Sequence, residues 1–302
     1  MTPDRWVEAH SYLRPVADLC AQVDRAVAAI VVLDARIPDW EDYRADFLAG
    51  VPLLSSAGGA VDLEPGGRMA AALVERLSCG ASSEWLAAET RALDTELRRV
   101  PEVSRRIVDF LLGDETVTPA FPGLLRFLSW TAMARFLRPV VNAFDGWRDE
   151  ERWLRRYCPT CGSLPAMAQL AGVDPGRKRL LSCGCCGTRW QFKRTGCPFC
   201  EIDAQRLASV TIEGEPGLRI DHCESCGGYL KTYVGQGNET LWLSDWSSLH
   251  LDLIAHDRGL KRLATSLYEF EPLAASTHPP SAMVMPTRMD PTTTIPIPTS
   301  HG

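Results

Sequence analysis

The sequence predicts two kinds of architecture in one chain: an all-helical N-terminal domain, then two small β modules of the rubredoxin-like or zinc-ribbon type, each built on four cysteines. Three observations carry that reading. Apolar residues recur at three- and four-residue steps through the first half and then lose that period. Nine of the eleven cysteines fall between Cys158 and Cys226. Eight of those nine form four Cys-x-x-Cys pairs with matched spacing. The expected divisions are 1–152 (helical), 153–194 (first four-cysteine module), 195–244 (second four-cysteine module), 245–272 (C-terminal helix) and 273–302 (a disordered tail).

Along the helical part, Asp24–Leu33 places Val27, Ile30, Val31 and Leu33 among alanines. Asp39–Gly50 has Trp40, Tyr43 and Phe47 at helical steps, with Gly50 as a stop signal. The glycine-rich stretch Ser55–Gly67 reads as a loop. Ser82 or Ser83 can cap a helix carrying Trp85, Leu86, Leu93 and Leu97. Pro101 stands at a first-turn position before Val103, Ile107, Phe110 and Leu111, and Gly113 ends that helix. Pro122 opens the most apolar helix, through Phe127, Met133 and Leu137. Arg126, Arg135 and Arg138 interrupt it, so it does not read as a membrane span.

Near Arg155 the texture changes to short runs of β-formers between Gly, Pro and Cys. Strands are expected at Arg179–Cys183, Thr188–Lys193, Arg206–Ile212, Leu218–His222, Tyr229–Val234 and Thr240–Leu243. A last helix is expected over Ser247–Tyr268. From Leu273 the chain is rich in Pro, Thr and Ser, which supplies too little apolar area to order it.

The chain has 302 residues, 45% of them hydrophobic and 23% charged, a balance typical of a soluble globular protein. The net charge of −6 argues against a chain-wide nucleic-acid binder. Met1–Pro15 has neither an apolar signal core nor a twin-arginine signal, so a cytoplasmic location is expected. In a reducing compartment a cysteine cluster points to metal or redox chemistry, not to disulfides.

The pairs are Cys158/Cys161, Cys183/Cys186, Cys197/Cys200 and Cys223/Cys226. Between paired turns lie 21 residues in the first set (162–182) and 22 in the second (201–222). Two intervening residues let both sulfurs of a pair face one point, and a hairpin brings back a second pair to complete a tetrahedron. Four thiolates suit zinc and iron alike, so two ions per chain, zinc or iron, are expected. Gly162, Gly187 and Gly227 follow the second cysteine of three pairs and tolerate positive φ there; Glu201 departs from that pattern. A dithiol oxidoreductase would need a βαβ setting, and none surrounds these pairs. Cys185 reads as a spectator thiol, and Cys20 and Cys79 as small apolar residues.

Between Glu150 and Cys200 nine basic residues face three acidic ones, a charge that could grip nucleic acid, dock on an acidic protein or offset the thiolates. His222 could sit behind Cys223, and Asp252 with His256 reads as a surface pair. No phosphate loop, dinucleotide fingerprint or Ser-His-Asp elbow is visible, which argues against an enzyme.

The stretch Cys158-Pro-Thr-Cys-Gly-Ser-Leu-Pro, Arg179-Leu-Leu-Ser-Cys, Thr188-Arg-Trp190, Cys197-Pro-Phe-Cys200, Asp221-His-Cys-Glu-Ser-Cys226 and Tyr229-Leu-Lys231 resembles the formate dehydrogenase accessory protein (FdhE) family. Asp245-Trp-Ser-Ser-Leu-His and the turn Gly50-Val-Pro-Leu-Leu54 extend the likeness. The resemblance implies a cytoplasmic maturation factor, not a catalyst, that binds the catalytic subunit of formate dehydrogenase before export. It implies metal ligation by Cys158, Cys161, Cys183 and Cys186, and by Cys197, Cys200, Cys223 and Cys226. Rigid knuckles would then display Arg189, Trp190 and Tyr229 to that client. A nucleic-acid-binding zinc ribbon and a rubredoxin-like iron electron carrier are the alternatives. An unpaired apolar side on the N-terminal helices would permit a homodimer.

Overall fold

Among the described residues seven α-helices precede the cysteine-bearing half. The computed structural model describes residues 2–31, 34–113, 118–149, 151–173, 176–202, 206–215 and 217–270. The helices are α1 (Pro3–Ala9), α2 (Arg14–Ala28), α3 (Trp40–Ala49), α4 (Glu64–Gly80), α5 (Glu84–Leu97), α6 (Val103–Leu111) and α7 (Pro122–Trp147). Helix α7 is apolar nearly all round, and its buried residues run from Gly123 to Phe144. It packs chiefly against α4, which in turn carries α5 and α6 on its other sides.

Helix α3 lies where its pattern predicted. The Asp39 carboxylate accepts the Glu41 N–H at 3.0 Å, and Gly50 closes the helix in the left-handed region at φ +85°. Helix α2 corrects the expected Asp24–Leu33: it begins at Arg14, with Pro15 in its first turn, and ends at Ala28. Val16, Leu19, Val23 and Val27 are its buried stripe.

The larger correction is α4, whose first turn falls inside the expected loop Ser55–Gly67. Pro65 sits in the first turn, where a missing N–H costs nothing. Gly66 and Gly67 are packing residues: a Cβ at Gly66 would meet Met133 Sδ at 2.6 Å, and one at Gly67 would meet the Ser104 carbonyl oxygen at 2.2 Å. The two glycines let α4 approach α7 and α6 closely.

The second half forms one seven-stranded sheet. Its strands are β1 (Met167–Ala171), β2 (Lys178–Ser182), β3 (Arg189–Phe192), β4 (Leu207–Thr211), β5 (Leu218–Cys223), β6 (Gly228–Val234) and the short β7 (Lys261–Arg262). Strands β1–β3 and β4–β6 are two antiparallel meanders, one per cysteine set. Parallel pairing of β1 with β6, Met167 opposite Lys231, joins them in the order β3-β2-β1-β6-β5-β4. Strand β1 was not expected from its residues, Met-Ala-Gln-Leu-Ala, which carry no β-branched side chain.

Thr240–Leu243, expected as a strand, falls largely in the helical turn α8 (Glu239–Trp242), which starts after Asn238 at φ +57°. The expected helix Ser247–Tyr268 is also shorter. A 3₁₀ turn (Asp245–Ser248) leads into α9 (Leu249–Asp257), and Gly259 at φ +72° turns the chain into β7. Tyr268 and Phe270 then pack on Phe127 of α7, with ring centroids 5.5 and 5.7 Å away. The expected disordered tail, 273–302, lies outside the described residues. No helix among the described residues is long and apolar enough to cross a membrane.

The main core runs without interruption from α2–α7 into the first cysteine set, through Trp153, Cys158, Leu181 and Trp190. A second core joins α1 and the start of α2 to the C-terminal part of the sheet and α9: it contains Trp6, Leu13, Val16, Ile220, Tyr233, Trp242 and Leu251.

Candidate metal centre

Each predicted set of four cysteines comes together. In the first, Cys158 Sγ lies 3.4 Å from Cys186 Sγ, and Cys161 Sγ lies 3.4 Å from Cys183 Sγ. In the second, Cys197 to Cys226 is 3.8 Å and Cys200 to Cys223 is 3.7 Å. Tetrahedral zinc with Zn–S of about 2.3 Å places its sulfurs about 3.8 Å apart. The second cage has that edge, and the first is slightly tighter. In each set the four sulfurs lie within 4.8 Å of one another and could hold one ion, two for the chain. All eleven cysteines are free thiols.

The turns are built by backbone hydrogen bonds that the Cys-x-x-Cys spacing allows. Gly162 N–H donates to the Cys158 carbonyl at 2.9 Å, Glu201 N–H to Cys197 at 3.0 Å and Gly227 N–H to Cys223 at 2.8 Å. Cys185, Phe199 and Gly228 each point a backbone N–H at a cage sulfur from 3.4 Å. Such contacts offset thiolate charge without adding a ligand. Positive φ is needed at the residue after the second cysteine: Gly162 has φ +79°, Gly187 +77° and Gly227 +70°. Glu201 occupies the same region at φ +60°, so the third turn keeps its shape with a strained residue.

The electrostatics agree with a bound cation. Hydrogen bonds from Cys158 and Cys183 hold the Cys161 thiol well below its ordinary range. The same exchange with Cys158 and Cys161 pushes Cys183 well up, and burial pushes Cys186 well up. Burial takes Cys197 up to about 12. Burial is the largest influence on Cys223 and opposes its ionisation, but the backbone N–H groups of Cys226 and Ser225 together with the Cys200 and Cys197 sulfurs outweigh it and bring that thiol down to about 7. Without a cation only some of the sulfurs in a cage can ionise; a divalent ion stabilises all four together. The donor sets therefore fit zinc or iron.

The helical half grips the first cage. Leu53 and Leu54 N–H groups donate to the carbonyls of Pro159 and Thr160, both at 2.9 Å. Tyr157 donates its hydroxyl to the Gly50 carbonyl at 2.8 Å. The turn Gly50–Leu54 is thus the seat of the first knuckle. Arg156 reaches the Phe199 carbonyl of the third knuckle at 2.5 Å. Thr160 and Thr188 bridge the two turns of the first cage through their hydroxyls, 2.7 Å apart.

Two of the three residues expected on display are inside. Trp190 is fully buried, and its indole N–H donates to the Arg155 carbonyl at 2.9 Å. Tyr229 is buried and donates to Asp252 Oδ1 at 2.7 Å. The register puts the two rings on opposite faces of the sheet: Trp190 aligns with Leu181, Ala168 and Thr232 and packs in the main core, whereas Tyr229 shares the other face with Lys231 and Tyr233 and packs in the second core. Arg189 is half-buried, bonds Gln169, and lines a cavity of about 740 Å³ beside the first cage. Arg135, Arg138, Cys183, Gly184 and Cys185 line the same cavity. Cys185 is buried next to Ser163, whose hydroxyl lies 3.6 Å from its sulfur.

Asp252 does not pair with His256, which is exposed. It belongs to an ion network under β6 that sequence reading missed. Lys231 Nζ, fully buried, contacts Asp245 Oδ1 at 2.6 Å and Asp252 Oδ2 at 2.8 Å. Arg262 completes the ring, reaching Asp245 Oδ2 at 2.7 Å and Asp252 Oδ1 at 2.9 Å. Two cations thus meet two carboxylates, which satisfies the condition for burying charge. His222 lines a smaller cavity of about 310 Å³ beside the second cage, with Cys197 and Cys223.

No family model matches the chain. It is 30% identical over 142 residues to a protein of Aquifex aeolicus called an FdhE homolog, covering 45% of this chain and 49% of that one. With an FdhE homolog of Pseudomonas aeruginosa the identity is 31% over 180 residues, 55% and 57% of the two chains. With protein FdhE of Escherichia coli it is 26% over 144 residues, 47% of each. The chain spans about half the length of the curated relatives it matches. In fold it resembles the crystal structure of the FdhE protein from Pseudomonas aeruginosa, with a TM-score of 0.57 and 24% identity over 87% of this chain and 91% of that one. The likeness in sequence to FdhE proteins thus covers about half of the chain, and the likeness in fold covers most of it.

Proposed function

We propose that the protein is an accessory factor for formate dehydrogenase, without catalytic activity of its own, and that it acts in the cytoplasm by binding the catalytic subunit before export. The FdhE likeness supports the formate dehydrogenase link. The observation that carries a binding role is the first cage itself: its sulfurs are enclosed by protein, one knuckle is gripped by Gly50–Leu54, and the other lines an arginine-bearing cavity. A metal held this way fixes a surface, as structural sites with four protein ligands do, and leaves no open position for chemistry. Zinc or iron would fill each cage through Cys158, Cys161, Cys183 and Cys186, and through Cys197, Cys200, Cys223 and Cys226. The client is expected at the cavity beside Cys183-Gly184-Cys185, whose lining carries both signs of charge, Arg135, Arg138 and Arg189 with Asp24, Glu239 and Asp245, and so suits a polar segment of mixed charge.

Deletion of the gene in its own host tests this. Formate dehydrogenase activity should be lost while its subunits are still made, and an affinity-tagged copy of the chain should retain the catalytic subunit. Wild-type activity in the deletion strain would overturn the reading.

A further inference from the structure

Away from both cages, His10, Glu215 and His250 converge from three remote segments: the end of α1, the β4–β5 connection and the start of α9. Glu215 Oε1 lies 3.3 Å from His10 Nε2, and Glu215 Oε2 lies 2.7 Å from His250 Nε2. The two imidazoles are stacked with centroids 5.4 Å apart. We propose that this trio is a third metal site, for a divalent first-row transition ion such as zinc.

Four features carry the assignment. First, the donors are two imidazoles and one carboxylate, a set that binds zinc and related ions with a position left for water. Second, the spacing fits. The one ligand atom offered by each residue lies within 4.8 Å of the other two, and the His10–Glu215 edge of 3.3 Å equals that of a tetrahedron with metal–ligand bonds of about 2.0–2.1 Å, while the His250–Glu215 edge of 2.7 Å is a hydrogen-bond distance that has to open when the ion enters.

Third, the His10 ring is oriented for ligation. Its Nδ1 lies 3.0 Å from the Trp6 carbonyl, an acceptor, so Nδ1 carries the proton. In the neutral ring Nε2 then aims a lone pair at a carboxylate oxygen. Two acceptors facing each other at 3.3 Å need a cation between them, either a second proton on the ring or a metal. A backbone carbonyl holding the far nitrogen is the usual support of a metal-bound histidine.

Fourth, the site is enclosed but not sealed. The side chains of His10, Glu215 and His250 are 13%, 10% and 9% exposed, and half-exposed Tyr12 stands 5.7 Å from both imidazole rings. Water can reach the open position. Beneath, Trp6 lies 3.6 Å from the His10 ring and donates its indole N–H to the Ser247 carbonyl at 2.9 Å. The ion would staple the N-terminal helix to the C-terminal helix, a role separate from that of either cage.

The experiment counts zinc bound to full-length, tag-free protein dialysed against buffered submicromolar free zinc at neutral pH. Three ions per chain are expected for the wild type, and two for His10→Ala, His250→Ala and Glu215→Gln, with both cages still filled. Saturation of the wild type at two ions would overturn the proposal. So would retention of a third ion in all three variants. Cobalt gives a readout that needs no variant. Once the cages are full, a further equivalent should add weak d–d absorption and no thiolate charge transfer; no spectral change would also overturn it.

Discussion

The two cages share their ligand spacing and differ in almost everything around it. The first is set in the main core: Cys158, Cys183 and Cys186 are buried, a loop of the helical half bonds its knuckle, and two threonines bridge its turns. The second is less enclosed: Cys197 and Cys223 belong to the same core, but Cys200 is exposed, and a strained Glu201 stands where the first cage has Gly162. The repeat thus gives two four-sulfur sites with unequal coupling to the fold. Whatever removes the first ion should propagate into the helices. Whatever removes the second should stay local.

Cysteine replacement should show the largest contrast. A structural zinc site supplies roughly 10–16 kcal/mol of apparent folding free energy. Cys158→Ala should therefore cost the first ion and also loosen the Gly50–Leu54 seat, seen as proteolysis within α3 and a lowered helical melting transition. Cys200→Ala should cost one ion and leave that transition within a few degrees of the wild type. Equal disruption by both would break the comparison.

Chelation kinetics sharpen it. Loss of thiolate-to-metal charge transfer from the cobalt-filled cages to a chelator should be biphasic, with the fast phase missing in Cys200→Ala. A single phase in the wild type would mean that burial does not govern release.

The Lys231–Asp245–Asp252–Arg262 network ties the sheet to the C-terminal segment without any metal. Removing one partner of a buried ion pair costs about 3–5 kcal/mol, so Lys231→Ala should fall in that range by chemical denaturation. Its pH dependence has a definite sign. Burial opposes ionisation of Asp245, but Lys231 and Arg262 more than offset it and hold the carboxyl below its ordinary value. That stability is complete above the unfolded value, near pH ~4, and is lost as pH falls through the folded one. Asp245→Asn should thus be less stable than the wild type at neutral pH, and the gap should narrow below about pH 4. A constant gap would contradict the network's charge balance.

The smallest effects lie in the knuckles. Glu201→Gly should raise stability by about 1 kcal/mol by relieving the left-handed backbone. Gly162→Ala should lower it by ~1–2 kcal/mol, because φ is +79° there and the new Cβ would lie 3.2 Å from Pro52 Cγ. Opposite signs at equivalent positions are the expected result of a thermal-shift comparison.

The cages were legible in the sequence because their rule is local: two residues within a pair and a hairpin between pairs. Five of the six expected strands lie within a residue or two of the observed ones for the same reason. What escaped depends on long-range packing. Gly66 and Gly67 look like loop residues until α7 and α6 stand against them. Trp190 and Tyr229 sit on strands, but which face is inward is decided by the helices and by α9. Lys231 finds its carboxylates 14 and 21 residues away. His10 meets Glu215 across 205 residues. No periodicity encodes such meetings.

The most direct test of the account is a cobalt titration of metal-free, fully reduced protein, following thiolate-to-metal charge transfer. The intensity should saturate at two equivalents per chain, each signal belonging to a tetrahedral four-sulfur site. Saturation at one equivalent or fewer, or bound cobalt without charge transfer, would contradict it.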